Sequence, residues 1–312
     1  MKKFLGGKLL VAAFLLLATY SLALAAPTSF QQVPPLKRID VGPVQLATCV
    51  IPGKGVPILF IHGSWDDHNG WLPVARTLRQ EVDNPMVLYD RRGHSASTNV
   101  AGQGHISDDV ADAVELIQKL HLGAVHVVGH SYGSNVAIEL VNNHPELAAS
   151  LFLYEPPAFG ILKHKPQYTS VLKEMKTSML EAKALLEKGD IEEGTKAFVE
   201  NVAFGKNSWE NLFDERARSC MIANADTWLD QSRDKERLSI PVEKLRDFKK
   251  PMTLVSGDAS LPVYQAIAVE MQKSIPALQV RHCKGAGHGG PVSDPQQVAD
   301  FLKAHLARVA GQ

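Results

Sequence analysis

Short apolar runs alternate along the chain with longer segments in which apolar residues recur at helical spacing. The seven candidate strands are 45–51, 57–61, 86–89, 125–128, 151–154, 252–255 and 279–283. Five of them are almost wholly apolar, which is typical of parallel strands covered by helices on both faces, because a one-sided strand would alternate. Helices are predicted at 108–120 and 132–143, and a last helix begins at Asp294-Pro295, an acidic cap followed by proline. The pattern predicts an α/β protein with a mostly parallel, doubly wound sheet.

Residues 156–249 interrupt this alternation, because they contain no convincing strand. Their apolar spacing predicts four amphipathic helices, at 171–187, 191–202, 208–223 and 226–238. Pro156-Pro157 and Lys249-Lys250-Pro251 flank the segment, and neither sequence can continue a helix. We therefore expect an all-helical cap at 156–249, inserted into a core made of residues 26–155 and 250–312.

The first 25 residues have the pattern of a secretory signal peptide. Three lysines precede a mostly apolar run at 9–24, and Ala23-Leu24-Ala25 supplies the small residues of a cleavage site. The run is shorter than the roughly 20 apolar residues that a transmembrane helix needs. We expect cleavage after Ala25, no stable membrane anchor afterwards, and export to the bacterial periplasm or the extracellular space.

Composition and charge narrow the class of partner. The 312 residues are 45% hydrophobic and 21% charged, which fits a folded globular chain. Lys and Arg total 33, as do Asp and Glu, so no basic excess exists to bind a phosphate backbone, and we expect no nucleic-acid partner. Cys49, Cys220 and Cys283 lack zinc-ligand spacing, although an oxidising compartment permits any two of them to pair. We expect neither a metal nor an organic cofactor, and the oligomeric state stays open.

The clearest chemical motif is Gly129-His130-Ser131-Tyr132-Gly133, a serine between two glycines where a buried strand meets a helix. In this context a G-x-S-x-G motif holds its serine on a tight turn, with the hydroxyl exposed above the sheet. Small residues two positions before and after the serine leave room for the chain to fold back. Ser131 is therefore the candidate nucleophile.

Together with this motif, three further segments resemble the α/β-hydrolase fold with a helical cap. They are Ile61-His62-Gly63-Ser64-Trp65, Asp90-Arg91-Arg92-Gly93 and Gly285-Ala286-Gly287-His288-Gly289, and the resemblance extends from about residue 44 to the C-terminus. It implies a catalytic triad in which Ser131 attacks and His288 takes its proton. Among twelve histidines, His288 is selected by its glycine-rich loop after the last strand and by its place after the serine in the chain.

The acid of the implied triad departs from the commonest family pattern. The family usually has it three residues after a glycine at the end of the penultimate strand, where this chain has Ser260, and Asp258 is only one residue after that glycine. Some members with this cap, including the haloalkane dehalogenases, take the acid from the end of the preceding core strand, and Glu155 fills that position here. We assign Glu155 and keep Asp258 as the alternative acid.

The resemblance also implies an oxyanion hole made by two backbone N–H groups. One belongs to Tyr132, which follows the nucleophile, and the other to Ser64, with Trp65 as its alternative. The adjoining residues 66–68 are expected to form a solvated loop.

These residues predict an exported serine hydrolase that forms an acyl-enzyme. Its expected substrate is a small molecule with an apolar acyl or aryl group, and the bond cleaved is ester-like, either a carboxylic ester or the carbon–carbon bond of a diketone. The alternatives are a cofactor-free haloperoxidase-like perhydrolase, an acyltransferase, and a ligand-binding homologue without turnover.

Overall fold

The computed structural model describes residues 33–100, 102 and 104–310, so the predicted signal peptide lies outside the described residues. The strands are β1 (Lys37–Asp40), β2 (Gln45–Ile51), β3 (Ile58–Ile61), β4 (Met86–Tyr89), β5 (Val125–His130), β6 (Ala148–Tyr154), β7 (Met252–Gly257) and β8 (Leu278–Cys283). The helices are α1 (Leu72–Leu78), α2 (Ile106–Lys119), α3 (Tyr132–Asn143), α4 (Thr169–Lys188), α5 (Ile191–Phe198), α6 (Ser208–Asn211), α7 (Glu215–Ala223), α8 (Ala225–Gln231), α9 (Pro262–Ser274), α10 (Gly290–Ser293) and α11 (Pro295–Ala310).

All eight strands form one sheet in the order β1-β2-β4-β3-β5-β6-β7-β8. The strand β2 is antiparallel to both β1 and β4, and every other neighbouring pair is parallel. The prediction of an α/β fold with a mostly parallel sheet is confirmed. Because the carboxyl ends of parallel strands lie on one edge of a sheet, the loops after β3, β5, β6, β7 and β8 meet at that edge.

Alternate residues of the central strands fill two apolar layers. Leu59 and Val127 belong to the layer on one face, and Phe60 and Val128 belong to the layer on the other. The helices cover both layers, which explains why these strands are apolar throughout. The last helix begins as predicted, with the Asp294 carboxylate accepting a hydrogen bond from the backbone N–H of Gln297.

The segment between β6 and β7 contains helices α4 to α8 and no strand. The predicted helix at 208–223 is broken, because the Asp214 carboxylate accepts a hydrogen bond from the N–H of Ala217 and starts α7 afresh. The predicted helix at 191–202 changes after Phe198 into a π-helical turn at Val199–Ala203. The one predicted at 226–238 ends earlier, at Gln231. Among the described residues, no helix combines the length and apolarity that crossing a membrane requires.

All three cysteines are free thiols. Cys49 and Cys283 are buried, and burial raises the pKa of each to about 11. The disulfide that an oxidising compartment would permit is therefore not formed in this fold.

Candidate active site

Ser131 lies on a tight turn between β5 and α3. Its backbone dihedrals, φ 52° and ψ −126°, are ones that side-chain-bearing residues rarely adopt. A Cβ on Gly129 would lie 2.5 Å from the carbonyl oxygen of Gly133, and a Cβ on Gly133 would lie 2.3 Å from that of Ile61. Both positions therefore require glycine, as the sequence motif indicated, and the turn lifts the serine hydroxyl above the edge of the sheet.

His288 lies beside Ser131, in the loop that follows β8. Its Nε2 is 2.9 Å from the Ser131 Oγ, and the imidazole is buried. The Tyr264 ring stacks on the imidazole at 4.2 Å between centroids, and Phe204 meets it edge-on at 5.2 Å. These two rings hold the plane of the imidazole in the orientation that faces the serine.

Glu155 is the carboxylate that reaches His288. Its Oε2 is 2.8 Å from His288 Nδ1, and its Oε1 accepts hydrogen bonds of 2.6 Å from both the backbone N–H of Gly257 and the hydroxyl of Ser260. Asp258, the alternative acid, instead accepts a 2.6 Å hydrogen bond from the backbone N–H of Gly285 in an exposed turn. Of the two acids considered, the structure brings Glu155 to the imidazole and leaves Asp258 outside the site.

Ser260 occupies the place where the family usually carries its acid. Here its hydroxyl donates to the carboxylate that comes from the neighbouring strand. The same region of the fold thus contributes a hydrogen-bond donor instead of the acid itself. The sequence contained the signal, a serine where an aspartate was expected, but the role of the serine depends on Glu155 lying within reach.

The loop that carries His288 is held from beneath by two side chains. The Tyr154 hydroxyl donates to the carbonyl of Gly287 at 2.8 Å, and His130 Nε2 lies 2.9 Å from the carbonyl oxygen of His288. Burial, reinforced by the proximity of His288, lowers the pKa of His130 to about 3. The His130 imidazole is therefore neutral near pH 7, and its Nε2–H donates to that carbonyl.

The residues predicted to form the oxyanion hole flank Ser131. Tyr132 is the first residue of α3, where backbone N–H groups have no partner within the helix. Ser64 lines the same cavity as Ser131 and His288. A Cβ on Gly63 would lie 3.0 Å from the Cβ of Ser131, so the loop after β3 passes directly beside the nucleophile.

Arg91, in the turn after β4, makes three hydrogen bonds to this loop. The Arg91 guanidinium donates to the carbonyl oxygens of His62 and Gly63, at 3.1 and 3.0 Å, and forms a buried ion pair with Asp109. The backbone N–H of Arg91 donates to His62 Nε2 at 2.9 Å. The turn after β4 therefore supports the loop, and it takes no direct part in the site.

Residues 66–68 do not form the solvated loop that was expected. Asp67 is buried, and its carboxylate accepts hydrogen bonds from Asn69 and from the Ser95 hydroxyl. His68 Nδ1 is 2.6 Å from a carboxylate oxygen of Asp90. Asp66 lines the cavity, where burial and the nearby Asp67 charge raise its pKa to about 7. The difference arises because the cap packs against this loop: Asn224 donates to the carbonyl oxygen of Asp66, and the Cys220 Sγ lies 3.5 Å from the Asp67 carboxylate.

Asp67, His68 and Asp90 also offer one possible metal-ligand atom each, and these atoms lie within 4.8 Å of one another. Hydrogen bonds to neighbouring groups already engage all three side chains. The arrangement is accounted for without a metal, and the expectation that the protein needs none stays a prediction.

A cavity of about 330 Å³ opens above Ser131 and His288. The helical segment supplies most of its apolar wall, through Phe198, Ala203, Phe204, Leu212, Phe213 and Met221. Its polar lining comes in part from Asp66, Asp67 and Asn69 of the loop after β3, and from Asp214 and Arg216 of the cap. The sequence indicated that some cap residues would roof a pocket, but which ones do so depends on how the helices pack.

Comparisons with known proteins agree with this architecture. The family model of the alpha/beta hydrolase family matches residues 58–301. The sn-1-specific diacylglycerol lipase ABHD11 of Danio rerio is 27% identical over 138 residues, which are 43% of each protein. The (E)-2-((N-methylformamido)methylene)succinate hydrolase of Acinetobacter baylyi is 32% identical over 95 residues, which are 30% of this chain and 35% of that protein. The chain thus matches less than half the length of these curated relatives.

A solved structure of an alpha/beta hydrolase from Sphaerobacter thermophilus shares the fold over almost the whole molecule. It superposes with a TM-score of 0.68 at 20% identity, covering 88% of this chain and all of that one. The match of the family model extends over well more than half of the sequence, and it includes the serine turn and the His288 loop. The chain belongs to the alpha/beta hydrolase family.

Proposed function

We propose that the protein is a serine hydrolase that cleaves ester-like bonds of small molecules with an apolar acyl or aryl group. One observation carries the proposal: a continuous chain of hydrogen bonds links Ser131 and His288, which line the cavity, to the buried carboxylate of Glu155. A serine hydroxyl is a weak nucleophile until a base within hydrogen-bond reach accepts its proton. The 2.9 Å contact from Ser131 Oγ to His288 Nε2 meets that condition.

In the proposed reaction, Ser131 Oγ attacks the substrate carbonyl while its proton moves to His288 Nε2. Glu155 holds the Nδ1–H of His288, which keeps Nε2 free to accept the proton and stabilises the imidazolium that forms. The N–H groups of Ser64 and Tyr132 donate hydrogen bonds that stabilise the negative charge on the carbonyl oxygen. Collapse of the intermediate expels the leaving group with the proton from His288, and water then releases the acyl group by the same steps.

The size and lining of the cavity support a small or medium substrate. Ligand pockets typically measure about 300–1,000 Å³, so a cavity of about 330 Å³ is at the small end. Its apolar wall suits an alkyl or aryl group beside the scissile carbonyl. The curated relatives include a hydrolase and a lipase by name.

Export is part of the proposal, and it rests on residues 1–25, so N-terminal sequencing of the secreted protein should begin at Ala26.

The test is a panel of 4-nitrophenyl esters of rising acyl length, measured with the wild type and with Ser131→Ala. We expect hydrolysis that peaks at short or medium acyl chains, and a loss of about 10³-fold or more in Ser131→Ala, since the nucleophile is removed. The same assays with added peroxide or alcohol identify the acyl acceptor, because a perhydrolase or acyltransferase would divert the acyl group from water. Absence of turnover across the panel, or a fully active Ser131→Ala, would contradict the proposal.

A further inference from the structure

Asn224 is a buried amide of the cap that reaches into the core. It lies between α7 and α8, and only 1% of its surface is exposed. Its Nδ2 donates to the carbonyl oxygens of Trp65 and Asp66, at 3.3 and 3.2 Å, and its Oδ1 accepts from the backbone N–H of Ser95 at 2.8 Å. Because the Ser95 partner is a donor and the two loop partners are acceptors, one orientation of the amide satisfies all of them.

The two carbonyls that Asn224 binds belong to the loop that supplies the oxyanion donor. One carbonyl belongs to Trp65, the alternative donor residue, and the other to Asp66. Ser64, the assigned donor residue, directly precedes Trp65 in the chain. Trp65 has φ 70°, a left-handed conformation that a bulky residue adopts only when its surroundings impose it. The orientation of the N–H groups in this loop therefore depends on whatever holds Trp65 in place.

The cap holds the Trp65 side chain as well as its carbonyl. The indole stacks on Trp228 of α8, with 5.3 Å between ring centroids and 27° between planes, and packs against Phe198 of α5 at 5.1 Å. These aromatic contacts locate the ring, but they do not define the rotation of the peptide plane that follows it. The Asn224 amide donates to the carbonyl oxygen of that peptide and to the carbonyl oxygen of the next one, and the Cys220 thiol of α7 makes a longer contact, of 4.0 Å, with the first.

We propose that Asn224 is a positioning residue, through which the cap orients the oxyanion-hole N–H groups of the loop after β3. The inference rests on the proposed function, since it assumes that Ser131 generates an oxyanion beside this loop. Donors stabilise a developing oxyanion only when they are aimed at it before the reaction begins. A displacement of about 1 Å in such a group is enough to lower the rate by about a hundredfold. The helical cap is thus both the roof of the pocket and a support of the catalytic geometry.

Thr227 offers a matched control in the first turn of α8, three residues after Asn224. Its hydroxyl is also buried, and it also joins the cap to the core, by a 2.7 Å hydrogen bond to the carbonyl of Gly93 in the turn after β4. That turn carries no oxyanion donor. Asn224→Ala and Thr227→Val therefore each remove hydrogen bonding between cap and core, but only the first releases the loop beside Ser131.

The experiment compares the two variants with the wild type, using the best 4-nitrophenyl ester and an alkyl trifluoromethyl ketone. Addition of Ser131 to this ketone creates a tetrahedral oxyanion, so its inhibition constant reports on the oxyanion hole. We expect Asn224→Ala to lower kcat by about 10- to 100-fold and to change KM by less than about threefold. The inhibition constant of the ketone should rise by about the same factor as kcat falls. Thr227→Val should keep both kcat and ketone affinity within about threefold of the wild type.

Unchanged kcat and ketone affinity in Asn224→Ala would overturn the inference. So would equal losses in the two variants, because these would reflect general loosening of the cap. If Asn224→Ala does not fold, Asn224→Ser leaves room for a water between its hydroxyl and the two carbonyls, and a smaller loss in the same direction is expected. Failure of the inference alone leaves an active wild type and an inactive Ser131→Ala, whereas failure of the proposed function shows as absence of turnover in the wild type or as a fully active Ser131→Ala.

Discussion

Replacing Glu155 by glutamine tests the acid of the proposed triad, because the structure dictates how the new amide must sit. Oε1 of Glu155 accepts from two donors, Gly257 N–H and the Ser260 hydroxyl. A backbone N–H cannot reverse its direction, so the amide oxygen must take that position and the NH₂ must face His288. His288 Nδ1 then has to accept, and its proton moves to Nε2, which can no longer take the proton of Ser131.

We expect a large decrease in kcat for Glu155→Gln, because the substitution imposes the wrong tautomer on His288 while the geometry of the site is retained. A comparable exchange in a serine protease lowers kcat by about 10⁴, and at about 1.4 kcal/mol per tenfold this is about 5 kcal/mol of transition-state stabilisation. Asp258→Asn is the matched control, since an asparagine oxygen can still accept from the backbone N–H of Gly285. Its kcat/KM should stay within about threefold of the wild type.

The assay is kcat/KM for the best 4-nitrophenyl ester, with circular dichroism and thermal unfolding to establish that both variants fold. If Glu155→Gln retains more than about a tenth of wild-type turnover while Asp258→Asn loses about a thousandfold or more, the assignment of the acid is wrong.

Three further predictions concern the scaffold. Gly129→Ala should lower the free energy of unfolding by more than about 2 kcal/mol in urea titrations, because its Cβ would lie 2.5 Å from backbone of the following helix, and a wild-type midpoint would contradict the steric account. His126 and His305 bond to the Ser150 hydroxyl in the core, and burial lowers their pKa values to about 4 and about 3. Below about pH 6.5 the unfolded chain therefore binds protons that the folded chain does not, so the free energy of unfolding decreases as the pH falls. Replacing one of these histidines, in His305→Gln, should reduce the slope of the free energy of unfolding against pH by about 1.4 kcal/mol per pH unit between about pH 6 and 4. The buried thiols of Cys49 and Cys283 should react with a thiol reagent far faster after denaturation than in the native protein at pH 8, and recovery of only one thiol from the whole chain after denaturation without reductant would reveal a disulfide.

The local parts of the fold and site were predictable from sequence. The turn around Ser131 and the loop around His288 are short motifs whose conformation depends on adjacent glycines, and the structure places both residues together. The central strands were predicted because they are apolar throughout. The strand β1 was missed because it is largely exposed and has no apolar face to detect.

The remaining features depend on contacts between distant parts of the chain. Choosing between Glu155 and Asp258 required the position of the His288 loop. That position depends on a hydrogen bond from the Tyr154 hydroxyl to the carbonyl of Gly287, two residues that are 133 apart in the sequence. The contact from Asn224 to Trp65 joins residues 159 apart, and it follows from how α7 and α8 dock on the core. Periodicity predicts that such helices exist, but the packing of one face against another decides which side chains meet.

The most direct test of the account is covalent labelling with a serine-directed fluorophosphonate, followed by peptide mapping. An activated hydroxyl beside a base should form one phosphonyl adduct, on Ser131, and Ser131→Ala should form none. His288→Ala should label at least about a hundredfold more slowly, because the base that accepts the serine proton is gone. A folded wild-type protein that stays unlabelled, or that is labelled on another residue, would contradict the claim that Ser131 is a nucleophile activated by His288.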